Sequence, residues 1–155
     1  MKRANPSLRH FAKRLIVFEA RGRKSSRVQA PAAFPVPEKL RQQLTTLMGT
    51  GGFRALLARA LALASAEVPW LRAIQVKPDG SLDGLAELYA QHGPDEFFEG
   101  RVVLLAHLLG LLVAFIGQYL TLRLVREVWP NIPLHGLDLE NRGKNENRGK
   151  NEKTK

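Results

Sequence analysis

The longest run of apolar residues lies in the C-terminal half of the chain, between positions 102 and 125, and contains one formal charge, at Arg123. A helix rises about 1.5 Å per residue, so this run extends for roughly 36 Å and can cross a bilayer core of about 30 Å. The same length suits the central helix of a soluble bundle, which is apolar all round because neighbouring helices cover it. The pattern therefore predicts a long apolar helix over about 95–128, with 102–122 as a candidate transmembrane segment.

Within this run the few polar and small residues recur at steps of three and four, which places them along one stripe of a helix. Small residues let a second helix approach closely, and His or Gln side chains can hydrogen-bond across such a contact. We therefore expect a helix-packing stripe that pairs with another helical protein or with a second copy of this chain. Its members are His107, Gly110, Ala114, Gly117, Gln118 and Thr121.

The two ends of the apolar run fit a membrane interface. Arg101 and Arg123 are long enough to reach lipid headgroups, and Tyr119 and Trp129 lie where an interfacial aromatic belt is expected. The same residues would serve as ordinary core or rim residues of a soluble protein. Basic residues flank both sides of the run, so positive charge does not orient a single span, whereas a re-entrant or surface-lying helix avoids that conflict.

Upstream of this helix the pattern predicts several shorter elements. Residues 7–20 form a basic amphipathic helix, which lies on a membrane surface or docks on the main domain. Glycine and proline separate the elements that follow, because glycine interrupts a helix and proline cannot continue one. These elements are helices over 38–48 and 53–67, a strand or irregular segment over 70–77, a turn at 78–81, and a helix over 82–91 that stops at Gly93.

Together these elements predict an all-α fold, a small helical bundle around the long apolar helix with disordered basic termini. Residues 1–37 hold the basic amphipathic helix and a Pro/Ala-rich linker, and 38–130 form the helical domain. Residues 131–155 form a tail in which ENRGKN occurs twice in tandem, at 140–151. The repeat is polar and charged, so it cannot bury a core and is expected to be disordered.

The formal net charge of +10 belongs to the two ends of the chain. Residues 1–41 contain 11 Lys and Arg against 2 acids, 42–100 contain 4 against 7, and 101–155 contain 9 against 5. Such basic arms suit contact with anionic lipid headgroups or with nucleic acid. The candidate contacts are Arg9, Lys13, Arg14, Arg21, Arg23, Lys24 and Arg27.

The sequence contains little that points to catalysis. It has no cysteine, which excludes thiolate chemistry, and its four histidines fall in different predicted elements. No zinc-protease, phosphate-loop or dinucleotide-binding motif occurs. His92 with the acids at 95, 96 and 99 comes nearest to a metal set, but capping and the helix dipole explain these acids. We therefore predict a non-enzymatic protein with no catalytic, cofactor or metal site and no small-molecule substrate.

Two stretches have distinctive sequences: GGFRALLARALALASAEVPWLRAIQVKPDGSLDGL from Gly51, and DEFFEGRVVLLAHLLGLLVAFIGQYLTLRLVREVWP from Asp95. With their surroundings, from about 34 to 130, they resemble a recurring group of bacterial proteins described only as hypothetical or uncharacterised. The resemblance implies a bacterial origin and one helical unit. It supplies no activity, cofactor or site residue.

Three functional hypotheses follow from these observations. The leading one is a membrane-associated helical protein that acts through helix–helix contacts, with the lipid bilayer as a partner. The alternative is a soluble cytoplasmic regulator or adaptor whose apolar helix is buried in its own core. The second alternative is contact with nucleic acid by the basic N-terminal arm, which predicts retention on polyanions that weakens steeply with salt.

Overall fold

A computed structural model describes residues 4–22 and 34–134 of the chain. These residues are predominantly helical, which confirms the predicted all-α class. The helices are α1 (Pro6–Gly22), α2 (Pro35–Glu67) and α3 (Leu85–Val128). Residues 23–33 of the predicted linker, with the basic residues Arg23, Lys24 and Arg27, and residues 135–155 of the predicted tail, with its tandem repeat, lie outside the described residues. The helical domain begins earlier than predicted, because α2 starts at Pro35.

The connection between α2 and α3 contains the β structure of the described chain. A 3-10 turn, Pro69–Ala73, leads into two short antiparallel strands, β1 (Gln75–Val76) and β2 (Leu82–Asp83). The predicted turn at 78–81 joins them, and Gly80 adopts a φ of 89° in it. The helix predicted from position 82 begins later, at Leu85, because residues 82 and 83 pair with β1 instead.

Three glycines interrupt the two long helices. Gly49, Gly93 and Gly117 have φ values of 81°, 84° and 89° with ψ values of 162°, 171° and 159°, a backbone conformation that is essentially restricted to glycine. The interruptions predicted at 49 and 93 are confirmed. The long apolar helix predicted over about 95–128 is present, but Gly117 interrupts it, so α3 consists of three regular segments, over 85–92, 94–116 and 118–128.

The core forms where α1 and α2 cover α3. Every residue from 102 to 109 of α3 is buried, so no face of this stretch reaches solvent. Helix α1 contributes Phe11 and Leu15 to the core, and α2 contributes Phe53 and Leu57, all with 0% exposure. Residues 102–109 are therefore apolar all round because protein surrounds them all round.

Two helices are long and apolar enough to cross a membrane, by length and composition. In the most apolar 18-residue stretches of α2 and α3, 28% and 50% of the residues are buried inside the folded chain. The core helix of a soluble protein passes the same test. Length and composition therefore fit both a membrane location and a protein core.

Arg101, which was expected near lipid headgroups, packs among aromatic rings of its own chain. Its guanidinium carbon lies 5.8, 5.2 and 5.5 Å from the ring centres of Phe34, Phe97 and Phe98. A guanidinium over ring faces is stabilised electrostatically, and burial lowers the pKa of Arg101. This residue therefore ties the start of α2 to α3. Arg123, in contrast, is exposed.

Candidate functional site

Exposed apolar side chains are concentrated at the second interruption of α3. Five large apolar side chains are exposed among the described residues, and three of them lie within 115–120. Phe115, Tyr119 and Leu120 are 72%, 76% and 42% exposed. We call these three residues the apolar tip.

Gly117 creates the apolar tip because it interrupts the helix between Phe115 and Tyr119. A Cβ built on Gly117 meets no atom within 4 Å, so backbone conformation rather than packing requires glycine there. The next turn is held against the interruption by Thr121, a buried residue whose hydroxyl donates a 2.8 Å hydrogen bond to the Gly117 carbonyl. The backbone conformation of Gly117 and the hydrogen bond from Thr121 therefore determine where the tip lies.

The first part of the predicted helix-packing stripe is covered by this chain itself. His107 is buried, and a Cβ added to Gly110 would lie 3.2 Å from a methyl carbon of Leu8 in α1. The small residue does admit a close neighbour, and in the folded chain that neighbour is α1. Ala114, one turn further on, is exposed.

The stripe does not continue along one face beyond Ala114. The spacing of Gly117, Gln118 and Thr121 follows the earlier residues only if the helix is regular through position 117, and it is not. Gln118 is half-buried and Thr121 is fully buried. The interruption at Gly117 therefore divides the six residues between two helical segments, and their pairing with another helix stays a prediction.

A buried carboxylate, that of Glu67 at the end of α2, connects all three helices. It accepts a 2.8 Å hydrogen bond from Arg9 Nη1 and a 2.9 Å hydrogen bond from the backbone N–H of Ala4. His107 Nε2 lies 2.5 Å from Glu67 Oε2. We call Glu67, His107 and Arg9 the polar joint.

The polar joint is built to hold an ionised carboxylate. Burial by itself raises the pKa of Glu67, but the N–H of Ala4, the hydrogen bond and charge of His107 and the charge of Arg9 together outweigh burial and lower the pKa. A carboxylate–histidine pair can transfer protons in catalysis. Here the two side chains are only 7% and 8% exposed, so a substrate has no direct access to the pair. The contacts of the polar joint link α1, α2 and α3.

The cluster around His92 is held by contacts within the chain. Its Nδ1 lies 3.0 Å from Glu96 Oε1, and its ring stacks on Trp70 with centroids 4.4 Å apart. Across 4–22 and 34–134, no group of three or more acidic, histidine or cysteine residues is arranged to hold a metal ion.

The predicted basic contacts separate into two places. Arg9 belongs to the polar joint, where it also lies 3.8 Å from Glu99. Lys13, Arg14 and Arg21 line an open groove of about 310 Å³ between α1 and the segment that follows α3. The apolar wall of this basic groove consists of Val17, Phe18, Ile132 and Pro133.

A second buried carboxylate, that of Glu19 in α1, is 3% exposed. Glu19 Oε1 accepts a 2.7 Å hydrogen bond from the indole of Trp129 and lies 2.8 Å from Lys39 Nζ. Trp129, for which both a membrane interface and a core position were considered, is buried and bonded to α1. This bond holds the segment after α3 beside the basic groove.

Several residues of these sites carry only a weak signal in the sequence. Glu67 pairs with His107, which is 40 positions away in the sequence. Its position, as a charged residue at the end of an apolar helix, was the available indication of a buried partner. Phe115 and Leu120 belong to the apolar run and were not singled out in the sequence, although glycine between two aromatic positions could have indicated an interruption. Comparison with protein-family models, with curated proteins and with solved structures gives no match.

Proposed function

We propose that this protein is non-enzymatic and binds the surface of an anionic membrane, with the apolar tip in the lipid interface and basic side chains on the headgroups. The observation that carries the proposal is the exposure of Phe115, Tyr119 and Leu120 within one short stretch. Large apolar side chains grouped on a surface are typical of binding sites for lipid or protein.

The energies involved suit reversible surface binding. Burial of a large apolar side chain contributes about 1.5–3 kcal/mol, so the tip supplies a gross gain on the order of 5 kcal/mol. Each Lys or Arg close to an anionic surface adds about 1 kcal/mol. Tyr119 suits the interface because its ring is apolar and its hydroxyl stays in contact with water and headgroups.

Surface binding is preferred to spanning because of what spanning would disrupt. Residues 102–109 would face lipid only after leaving α1 and α2, which now cover them. That separation would also break the pair of Glu67 and His107 and leave ionisable groups beside hydrocarbon, which is costly. A surface position also places the basic residues on the same side of the bilayer.

Vesicle sedimentation tests the proposal. We expect the full chain to pellet with vesicles that contain phosphatidylglycerol and to pellet weakly with phosphatidylcholine alone, with less binding at high salt. The triple variant Phe115→Ser, Tyr119→Ser, Leu120→Ser should bind anionic vesicles at least about tenfold more weakly, because it removes apolar surface. Leu47→Ser is the matched control, since Leu47 is 55% exposed in α2 near the Gly49 interruption.

Three results would contradict membrane binding through the apolar tip. If the wild-type chain does not bind anionic vesicles, or if the triple variant binds them as well as Leu47→Ser does, surface binding through the tip is wrong. If the tip instead pairs two copies of the chain, sedimentation equilibrium will give a dimer that the triple variant converts to a monomer, without vesicle binding. Circular dichroism checks that each variant remains folded.

A further inference from the structure

We propose that the basic groove binds the phosphate headgroup of an anionic phospholipid, with the first methylenes of one acyl chain against its apolar wall. This inference rests on the proposed membrane association and specifies the lipid that the protein recognises. The groove lies apart from the apolar tip and is formed by different residues.

The α1 side of the groove is one continuous helix face. Residues 13, 14, 17, 18 and 21 recur at steps of three and four, so they project to the same side of α1. Cations occupy 13, 14 and 21, and Val17 and Phe18 lie between them. The face therefore presents positive charge directly beside hydrocarbon, which is the arrangement that a phospholipid headgroup and its chain require.

The positive charge of the groove is available to a ligand. Within the described part of the chain, Lys13 and Arg21 have no acidic partner. Arg14 Nη2 donates a 2.9 Å hydrogen bond to the carbonyl of Pro133, which directs the guanidinium across the groove and leaves its other N–H groups for a phosphate. Glu19, the nearest acid on α1, is buried and bonded to Lys39 and Trp129.

The size and lining of the groove favour part of a lipid. Its volume of about 310 Å³ is at the lower end of the range for small-molecule sites, roughly 300–1,000 Å³. It accommodates a headgroup and the beginning of one chain, while the rest of the lipid stays in the bilayer. The lining side chains offer donors and apolar surface, which match a phosphate next to hydrocarbon.

The groove and the tip can engage the same membrane. The helical segment 118–128 connects them, and its length is roughly 16 Å at 1.5 Å per residue. In the proposed binding mode this segment lies along the bilayer surface, with the tip in the interface at one end and the groove on headgroups at the other. Arg123 and Arg126 are exposed on the same segment.

The test uses dihexanoylphosphatidylglycerol below its micelle concentration, titrated into the full chain and followed by calorimetry. We expect saturable binding, and we expect the double variant Lys13→Gln, Arg21→Gln to weaken it at least about tenfold because two charge-assisted contacts are lost. The control is Arg72→Gln, Lys77→Gln, which removes two exposed cations elsewhere. Dihexanoylphosphatidylcholine and inorganic phosphate are the comparison ligands and should bind far more weakly.

The other outcomes distinguish failure of the groove proposal from failure of the membrane proposal. Equal binding of inorganic phosphate overturns the lipid assignment, and equal loss in the control variant overturns the groove as the site. If the monomeric lipid does not bind but anionic vesicles still bind through the tip, the groove proposal fails and the membrane proposal stands. If the monomeric lipid binds in the groove and vesicles do not, the groove proposal stands and the membrane proposal fails.

Discussion

A single carboxylate, that of Glu67, holds the beginning of the chain, α1 and α3 in one place. Three donors converge on it, from Ala4, Arg9 and His107. Because the side chain is 7% exposed, the free energy of desolvating its charge is recovered only while these donors remain. Removing the charge should therefore weaken the whole fold.

We predict that Glu67→Gln lowers the free energy of unfolding at pH 7 by about 1–3 kcal/mol, the usual worth of hydrogen bonds to a buried charge. The folded state lowers the pKa of Glu67 below its ordinary value of about 4.3. Its stabilisation is therefore complete above that value and is lost as pH falls through the folded-state pKa. Urea unfolding at pH 7, 5 and 3.5 measures this difference.

The difference between wild type and Glu67→Gln should shrink in strong acid, as the Glu67 carboxylate is protonated in the folded state. Glu96→Gln is the control, because Glu96 is 66% exposed and its pair with His92 is worth less than about 1 kcal/mol. An equal effect of both variants at pH 7 would show that the polar joint has no special role.

Gly100 gives a second prediction at a single residue. A Cβ at this position would lie 2.4 Å from Cη2 of Trp70, so the indole must move and its stack on His92 is lost. We expect Gly100→Ala to destabilise the protein by about 1–3 kcal/mol, as overpacking does. Gly51→Ala, also in a helix but with no atom within 4 Å, should stabilise it by about 0.5–1 kcal/mol. Thermal unfolding of both variants compares the signs.

Among the elements, α3 depends most on one backbone conformation. Its last segment, 118–128, follows the change of chain direction at Gly117, and Trp129 at its end bonds to Glu19. We predict that Gly117→Ala destabilises the protein by about 1–3 kcal/mol, because alanine is strained at this φ and ψ. Urea unfolding measures the loss. Unchanged stability with a gain of helix by circular dichroism would mean that α3 runs straight through position 117.

At the scale of the whole molecule, the distribution of burial predicts a pattern of hydrogen exchange. Without membranes, amides of 102–109 should exchange only by global unfolding, because α1 and α2 surround them. Amides of 118–120, beside the interruption and near the exposed tip, should exchange faster. Rapid exchange over 102–109 would show that the apolar helix is not covered by protein in solution.

The location of the protein in cells gives a further test of surface binding. We expect the chain in the membrane fraction of expressing cells, and we expect high salt followed by carbonate to release it, because headgroup contacts and a shallow apolar tip hold it. Retention until detergent is added would instead support insertion of 102–122. Recovery in the soluble fraction before any wash would support the regulator hypothesis.

Local signals in the sequence predicted most of the helices. Apolar spacing in 7–20, 53–67 and 102–125 and the breaking residues at 49 and 93–94 act within one or two turns, so neighbouring residues are enough to predict these helices. Gly117 was misread because glycine also occurs inside apolar helices as a packing residue. Its role depends on whether the following segment gains more by folding back, which neighbouring residues do not reveal.

By itself the sequence determined a mostly helical protein with basic ends and an apolar stretch too long to be left in water, since composition and periodicity are properties of adjacent residues. The tertiary structure decided what covers that stretch, which carboxylate His107 meets, and which apolar side chains remain exposed. These outcomes depend on contacts between residues tens of positions apart, such as Glu67 with His107 and Glu19 with Trp129. Burial is a property of the assembled helices, and so are the apolar tip and the basic groove.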